Sequence, residues 1–150
     1  MVYLATDHAG FDLKEKIKDF LKGESVEVED FGAFSQNPDD DYPDFISKAA
    51  EAVSKNPDQK AIILGGSGQG EAIVANKFPN VRAVVYYGHE NNILKLTRQH
   101  NNANVLSLGA WFLTEEEALK AVKLFLDTEF TNEERHIRRV EKIKKIEELR

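Results

Sequence analysis

The chain predicts a parallel β-sheet covered by helices on both faces. Three observations lead there. Short apolar runs alternate five times with segments of helical spacing. The first run, Val2-Tyr3-Leu4-Ala5, reads as a short buried strand. The run Ala61-Ile62-Ile63-Leu64 meets the glycine loop Gly65-Gly66-Ser67-Gly68-Gln69-Gly70-Glu71 and then Ala72-Ile73-Val74-Ala75, which is strand, loop and helix in succession.

The elements come in this order. Leu13, Ile17, Phe20 and Leu21 recur at helical spacing after the first strand. Val26 to Glu29 alternates like a strand. Asn37-Pro38-Asp39-Asp40-Asp41 reads as an acidic, solvated turn rather than a cation site. Pro43 opens a helix to Lys55, because proline suits a first helical position. Strands are expected over 60–64, 81–86 and 104–108, with a helix between the last two that ends near Arg98. Thr114 and Glu117 fit a capping box for a helix reaching about Leu126. A charged helix fills most of 133–149. Its Ile137, Val140, Ile143, Ile146 and Leu149 fall every three residues, a stripe that winds around a helix of 3.6 residues per turn. Such a stripe suits an arm wrapped over another subunit, and packing on its own core is the competing reading.

At 150 residues the chain reads as one domain, 1–150, large enough for a hydrophobic core. No run approaches the ~20 apolar residues that span a bilayer, and Met1-Val2-Tyr3-Leu4 runs too soon into polar residues for a signal peptide. No membrane partner is expected. There is no cysteine, which excludes disulfides and thiolate chemistry and fits a cytoplasmic protein. The net charge of −6 opposes general nucleic-acid binding. Residues 133–150 carry seven Lys or Arg against five Glu, so the body holds −8 and the tail +2.

The glycine loop carries the chemistry. Glycines let backbone N–H groups approach a ligand, and a helix start favours an anion. Its spacing is not that of a dinucleotide loop, and it lacks the Lys-Ser/Thr ending of a nucleoside-triphosphate loop. Glu71 suggests proton transfer beside developing negative charge. The loop is equally a tight turn whose acid complements the helix dipole. Ligands bind outside the carboxyl ends of strands in open α/β sheets. If strands one and three are neighbours, Asp7, His8, Ser67 and Glu71 meet in one crevice. His100, Asn101, Arg135, His136 and Arg139 add histidines and cations from later helix ends. No metal-ligand spacing is present, so neither metal nor cofactor is expected.

These residues resemble a known family. Asp7-His8-Ala9-Gly10-Phe11, Asp41-Tyr42-Pro43-Asp44, Ala75-Asn76-Lys77, His100 to Leu106 and Arg135 to Val140 are similar to type B ribose-5-phosphate isomerases and galactose-6-phosphate isomerase subunits. The resemblance spans nearly the whole chain. It implies a Rossmann-like three-layer α/β/α sandwich with a five-stranded parallel sheet and a C-terminal helical arm. It also implies a homodimer with active sites shared between chains, or a tetramer built from it. Many members use a cysteine of the glycine loop as base. Here Gly65 stands at that position, and the chain resembles the branch with G-G-S-G-x-G-E, which uses the glutamate, here Glu71. The implied activity interconverts ribose 5-phosphate and ribulose 5-phosphate through an enediolate. By resemblance, His100 opens the sugar ring with Asp7 on the anomeric hydroxyl, and Asn101 holds sugar hydroxyls. His8, Arg135 and Arg139 bind phosphate with His136 close by, and Tyr42 lines the sugar site. Ser67 and the N–H groups of Gly68, Gln69 and Gly70, in the loop that begins at Gly66, are candidates for the oxyanion hole.

Two departures touch the substrate pocket. Trp111 stands where most members carry an arginine, offering an aromatic face in place of a cation. The loop from Tyr87 to Asn92 is two residues longer than usual. They leave two alternatives in view: an isomerase of another phosphorylated sugar, such as a hexose 6-phosphate, or a catalytically weak sugar-phosphate-binding protein.

Overall fold

The computed structural model describes residues 1–149. The last residue of the expected arm, Arg150, lies outside the described residues. Five strands form one parallel sheet: β1 (Val2–Thr6), β2 (Val28–Asp30), β3 (Lys60–Gly65), β4 (Ala83–Tyr86) and β5 (Val105–Gly109). Their order across the sheet is β2-β1-β3-β5-β4. The helices are α1 (Phe11–Gly23), α2 (Tyr42–Lys55), α3 (Gln69–Ala75), α4 (Asn92–Gln99), α5 (Glu115–Asp127) and α6 (Glu134–Glu147).

Strand alternation builds two cores. Leu4, Ile62, Leu64, Leu106 and Leu108 point to one face, where they meet Ile17 and Leu21 of α1, Leu94 of α4 and Phe125 of α5. Tyr3, Ala5, Ala61, Ile63 and Val105 point to the other, against Ile46, Ala49, Ala50 and Val53 of α2. The strands β1 and β5 are buried at every residue, so both read as mostly apolar, with Ser107 the polar residue inside β5. No helix among the described residues is long and apolar enough to cross a membrane.

Local boundaries differ from expectation in three places. β2 is Val28–Asp30 rather than 26–29, because Val2 pairs with Val28 and the main chain of Glu27 only accepts from Val2. β4 starts at Ala83, since the Val81 N–H closes a turn onto Phe78. Short 3-10 turns at His8–Gly10 and Ala110–Phe112 connect β1 to α1 and β5 to the loop before α5. The capping box at Thr114 forms: its hydroxyl accepts from the Glu117 N–H, and the Glu117 carboxylate accepts from the Thr114 N–H.

The winding stripe on α6 stays uncovered. Ile137, Ile143, Ile146 and Leu149 are all exposed, and His136 is the buried residue of the helix. The arm runs beneath the amino ends of the strands, with Glu147 accepting from the Asn80 N–H just ahead of β4.

Thr114→Ala removes one half of the capping box and is expected to cost about 1 kcal/mol of stability. Urea unfolding measures it; an unchanged midpoint would show that the box contributes nothing.

Candidate active site

Strand order reverses between β1 and β3, the position where open α/β sheets place a ligand crevice at the carboxyl ends of their strands. β1 delivers Asp7 and His8. Asp7 caps the adjoining turn by accepting from the Ala9 N–H at 3.0 Å. β3 delivers the glycine loop and Glu71. Thr6 pairs with Leu64, so the two loops start at one level.

The loop is shaped by close approach. Gly68 has φ 78°, which L side chains rarely adopt, and its carbonyl accepts from Ser107 Oγ at 2.7 Å. Ser67 Oγ accepts from the Gln69 N–H at 3.3 Å. Among the described residues, no acceptor in the chain meets the N–H groups of Gly68 and Gly70. Of the three expected N–H donors, Gln69 is thus engaged while Gly68 and Gly70 stay available. The space a Cβ of Gly70 would take is held by the Tyr42 ring and hydroxyl, which brings Tyr42 to the loop as expected.

Glu71 is 4% exposed. Its carboxylate occupies the notch left by Gly65, where any Cβ would overlap it. Burial pushes its pKa up, its own main-chain N–H pulls it down, and the nearby Asp7 charge adds to the rise. A carboxylate poised closer to neutrality than usual is what a proton-transferring base needs.

His8 is held from the loop after β2. Asp40 Oδ1 accepts from the His8 Nδ1–H at 2.7 Å and from its main-chain N–H at 3.2 Å. The acidic stretch is therefore not wholly a solvated turn: Asp40 folds inward and holds a site histidine. Sequence reasoning misses this residue. The available signal was topological, since a loop leaving a strand beside β1 must pass His8. Asp7, His8 and Asp40 also bring metal-type ligand atoms within 4.8 Å of one another, and here His8 pairs with Asp40 instead.

The remaining expected residues lie elsewhere. His100 ends α4 and precedes β5, at the amino edge of the sheet. Its ring stacks on that of His136, with centroids 4.3 Å apart and planes 13° apart. His136 is buried, and burial, His100 and Arg135 all hold its pKa down. Arg135 donates through Nε to His136 at 3.4 Å and pairs with Glu133 at 3.2 Å. Asn101 and Arg139 are both exposed. Asp7, Ser67 and Glu71 leave the opposite, carboxyl edge. Five residues of β5 at ~3.3 Å each put roughly 16 Å between the two edges. One chain does not bring the two groups together.

Trp111 lies over the glycine loop. Its main-chain N–H donates to the Gly66 carbonyl at 3.0 Å, and three indole ring atoms sit 2.7 Å from where a Gly66 Cβ would be. The side of the indole away from the loop leaves it 73% exposed. The residue that replaces the usual arginine thus does border the crevice.

A carboxyl whose folded pKa is raised favours folding below its unfolded value, near 4.3, and loses that contribution as pH rises through the folded value. Glu71→Gln should therefore raise the melting temperature at pH 8, and by a smaller amount at pH 4. Thermal unfolding at both values checks it; an equal shift at both would rule out burial of the charge as the cause.

Comparison with known proteins places the fold in a family. The family model described as Ribose/Galactose Isomerase matches residues 2–143. The chain is 43% identical over 140 residues to ribose-5-phosphate isomerase B of Mycolicibacterium paratuberculosis, covering 93% of this chain and 87% of that one. The solved ribose-5-phosphate isomerase B of Mycoplasma genitalium, with bound ribulose 5-phosphate, is similar with a TM-score of 0.93 at 38% identity, over 98% of this chain and 95% of that one. The Clostridium thermocellum enzyme of the same name gives 0.91 at 40% identity, over 98% and 97%. With the family model matched almost end to end and the same sheet in solved relatives, the chain belongs to the ribose/galactose isomerase family.

Proposed function

We propose that this chain is a metal-free aldose–ketose isomerase that interconverts ribose 5-phosphate and ribulose 5-phosphate. One observation carries the reading: a buried carboxylate, Glu71, whose pKa is raised, set beside unspent loop amides at the switch point of the sheet. Glu71 takes the proton from C2 of the open-chain aldose. The electron pair moves into the C1–C2 bond, and the C1 carbonyl oxygen becomes an oxyanion. Ser67 Oγ and the Gly68 and Gly70 N–H groups stabilise that charge, donors that contribute about 2.7–4 kcal/mol each in other enzymes. The C2 hydroxyl proton passes to the C1 oxyanion, and as the C2 oxygen's electron pair forms the ketone the Glu71 carboxyl returns its proton to C1. A single base over adjacent carbons suffices. Asp7 and His100 open the ring, Tyr42 and Asn101 hold the sugar, and His8, Arg135 and Arg139 bind the phosphate beside His136.

The two-edged arrangement supports a homodimer with shared sites. His100, Asn101 and the α6 cations cannot reach Glu71 of their own chain, so a second copy supplies them. The uncovered α6 stripe is the surface that such a copy would cover. Cytoplasmic work on a phosphorylated sugar fits a chain without cysteine.

Glu71→Gln should abolish turnover while sugar-phosphate binding survives; near-normal isomerisation would remove Glu71 from the mechanism. In deuterated water with an aldose-phosphate panel, pentose turnover with label at C2 is expected. Hexose turnover alone would change the substrate, and binding without exchange would leave only a binding protein. Gly65→Ala, at a position where the backbone tolerates alanine, displaces the Glu71 carboxylate and should lower kcat by about 100-fold or more with circular dichroism unchanged. Mixed and re-assembled Glu71→Gln and His100→Ala chains should regain about a quarter of wild-type activity, since a two-fold heterodimer keeps one intact site. No recovery would place both residues in one chain's site. Activity should also survive dialysis against chelator; loss with restoration by a divalent metal would overturn the metal-free assignment.

A further inference from the structure

The loop between β2 and α2 closes on the loop after β1 at two points, both through Asp40. One carboxylate oxygen accepts from the His8 ring and from the His8 main chain. The partners are 32 residues apart, so the contact exists only because β2 lies beside β1. The Asp40 side chain is 9% exposed, and its Oδ2 is buried with no partner. A carboxylate so placed costs free energy unless a cation or donors compensate it. Among the described residues, His8 is its sole ion-pair partner.

We propose that Asp40 is a positioning residue for the isomerase reaction, clamping His8 by ring and main chain so that Nε2 is the ring nitrogen left for the phosphoryl oxygens of the substrate. The inference rests on the reading of this crevice as the sugar-phosphate site. With Nδ1–H committed to Asp40, a neutral ring would present a bare Nε2 lone pair to an anionic phosphate. A protonated ring presents a charge-assisted donor instead. Asp40 favours the protonated ring. The charged groups facing His8 are Asp7 from the end of β1 and Asp39 and Asp40 from the loop before α2. The Asp40 hydrogen bond is the largest influence and raises the His8 pKa; partial burial opposes it, and the other two carboxylates add to the rise. Charge and tautomer are thus set together by one residue that does not touch the reacting carbons.

Asp40→Asn keeps an acceptor for Nδ1–H and removes the charge, whereas Asp40→Ala removes both. In the purified full-length protein, Asp40→Asn should raise KM for ribose 5-phosphate about tenfold and change kcat by no more than about threefold, the pattern of lost substrate binding. The alkaline limb of kcat/KM, where His8 gives up its proton, should move to lower pH. Histidine-labelled NMR should show the His8 ring titrating at lower pH in Asp40→Asn than in wild type, and Asp40→Ala should lose the protected Nδ1 proton. An unchanged His8 titration in Asp40→Asn would overturn the proposal. So would a fall in melting temperature and in kcat with KM and the pH limb unmoved, which is the mark of mere loop support. The NMR titration needs no turnover, so a wild-type protein that failed to isomerise ribose 5-phosphate would count against the functional reading and leave the Asp40–His8 result to stand or fall by itself.

Discussion

The structure turns on one unfavourable placement: a carboxylate held in a notch where water has little access. Glu71 fits because position 65 has no side chain, and it stays because α3 begins immediately after a loop anchored by Ser107. Everything around it serves that placement. β1 and β3 are neighbours, so Asp7 arrives at the same level; the Asp7 charge raises the Glu71 pKa further. The cost falls on folding, because desolvation disfavours the ionised side chain; in the proposed isomerase the same desolvation would make it a stronger base.

A cysteine at position 65, the place the resemblance gives to a thiolate base, would put its Cβ into the Glu71 carboxylate in this chain. The two side chains compete for one volume. Changing one for the other requires two coordinated substitutions, since a side chain at position 65 alone would crowd the Glu71 carboxylate. Gly65 is therefore as much a part of this solution as Glu71.

Much of this was legible in the sequence, for physical reasons. Buried parallel strands are apolar on both faces, so β1 and β3 stood out, and the capping box at Thr114 is a local pattern that needs no tertiary context. The expectation that Asp7, His8, Ser67 and Glu71 share a crevice depends on β1 and β3 being neighbours, a relation the sequence does not settle and the sheet shows. Asp40 was misjudged because its partner is 32 residues away, and nothing local distinguishes an inward-turned aspartate from its exposed neighbours. The separation of His100 from Glu71 is a matter of which end of a strand each loop serves. A set of site residues carries no such direction, whereas the path from α4 into β5 does.

Trp111 is the only tryptophan of the chain, and it lies against the loop that offers Ser67 and the free amides. Its indole is largely wetted while the crevice is open. The chain's tryptophan fluorescence comes from this single ring. The protein thereby carries an intrinsic optical gauge: a shift of its emission colour reports displaced solvent at the glycine loop and nowhere else in the fold.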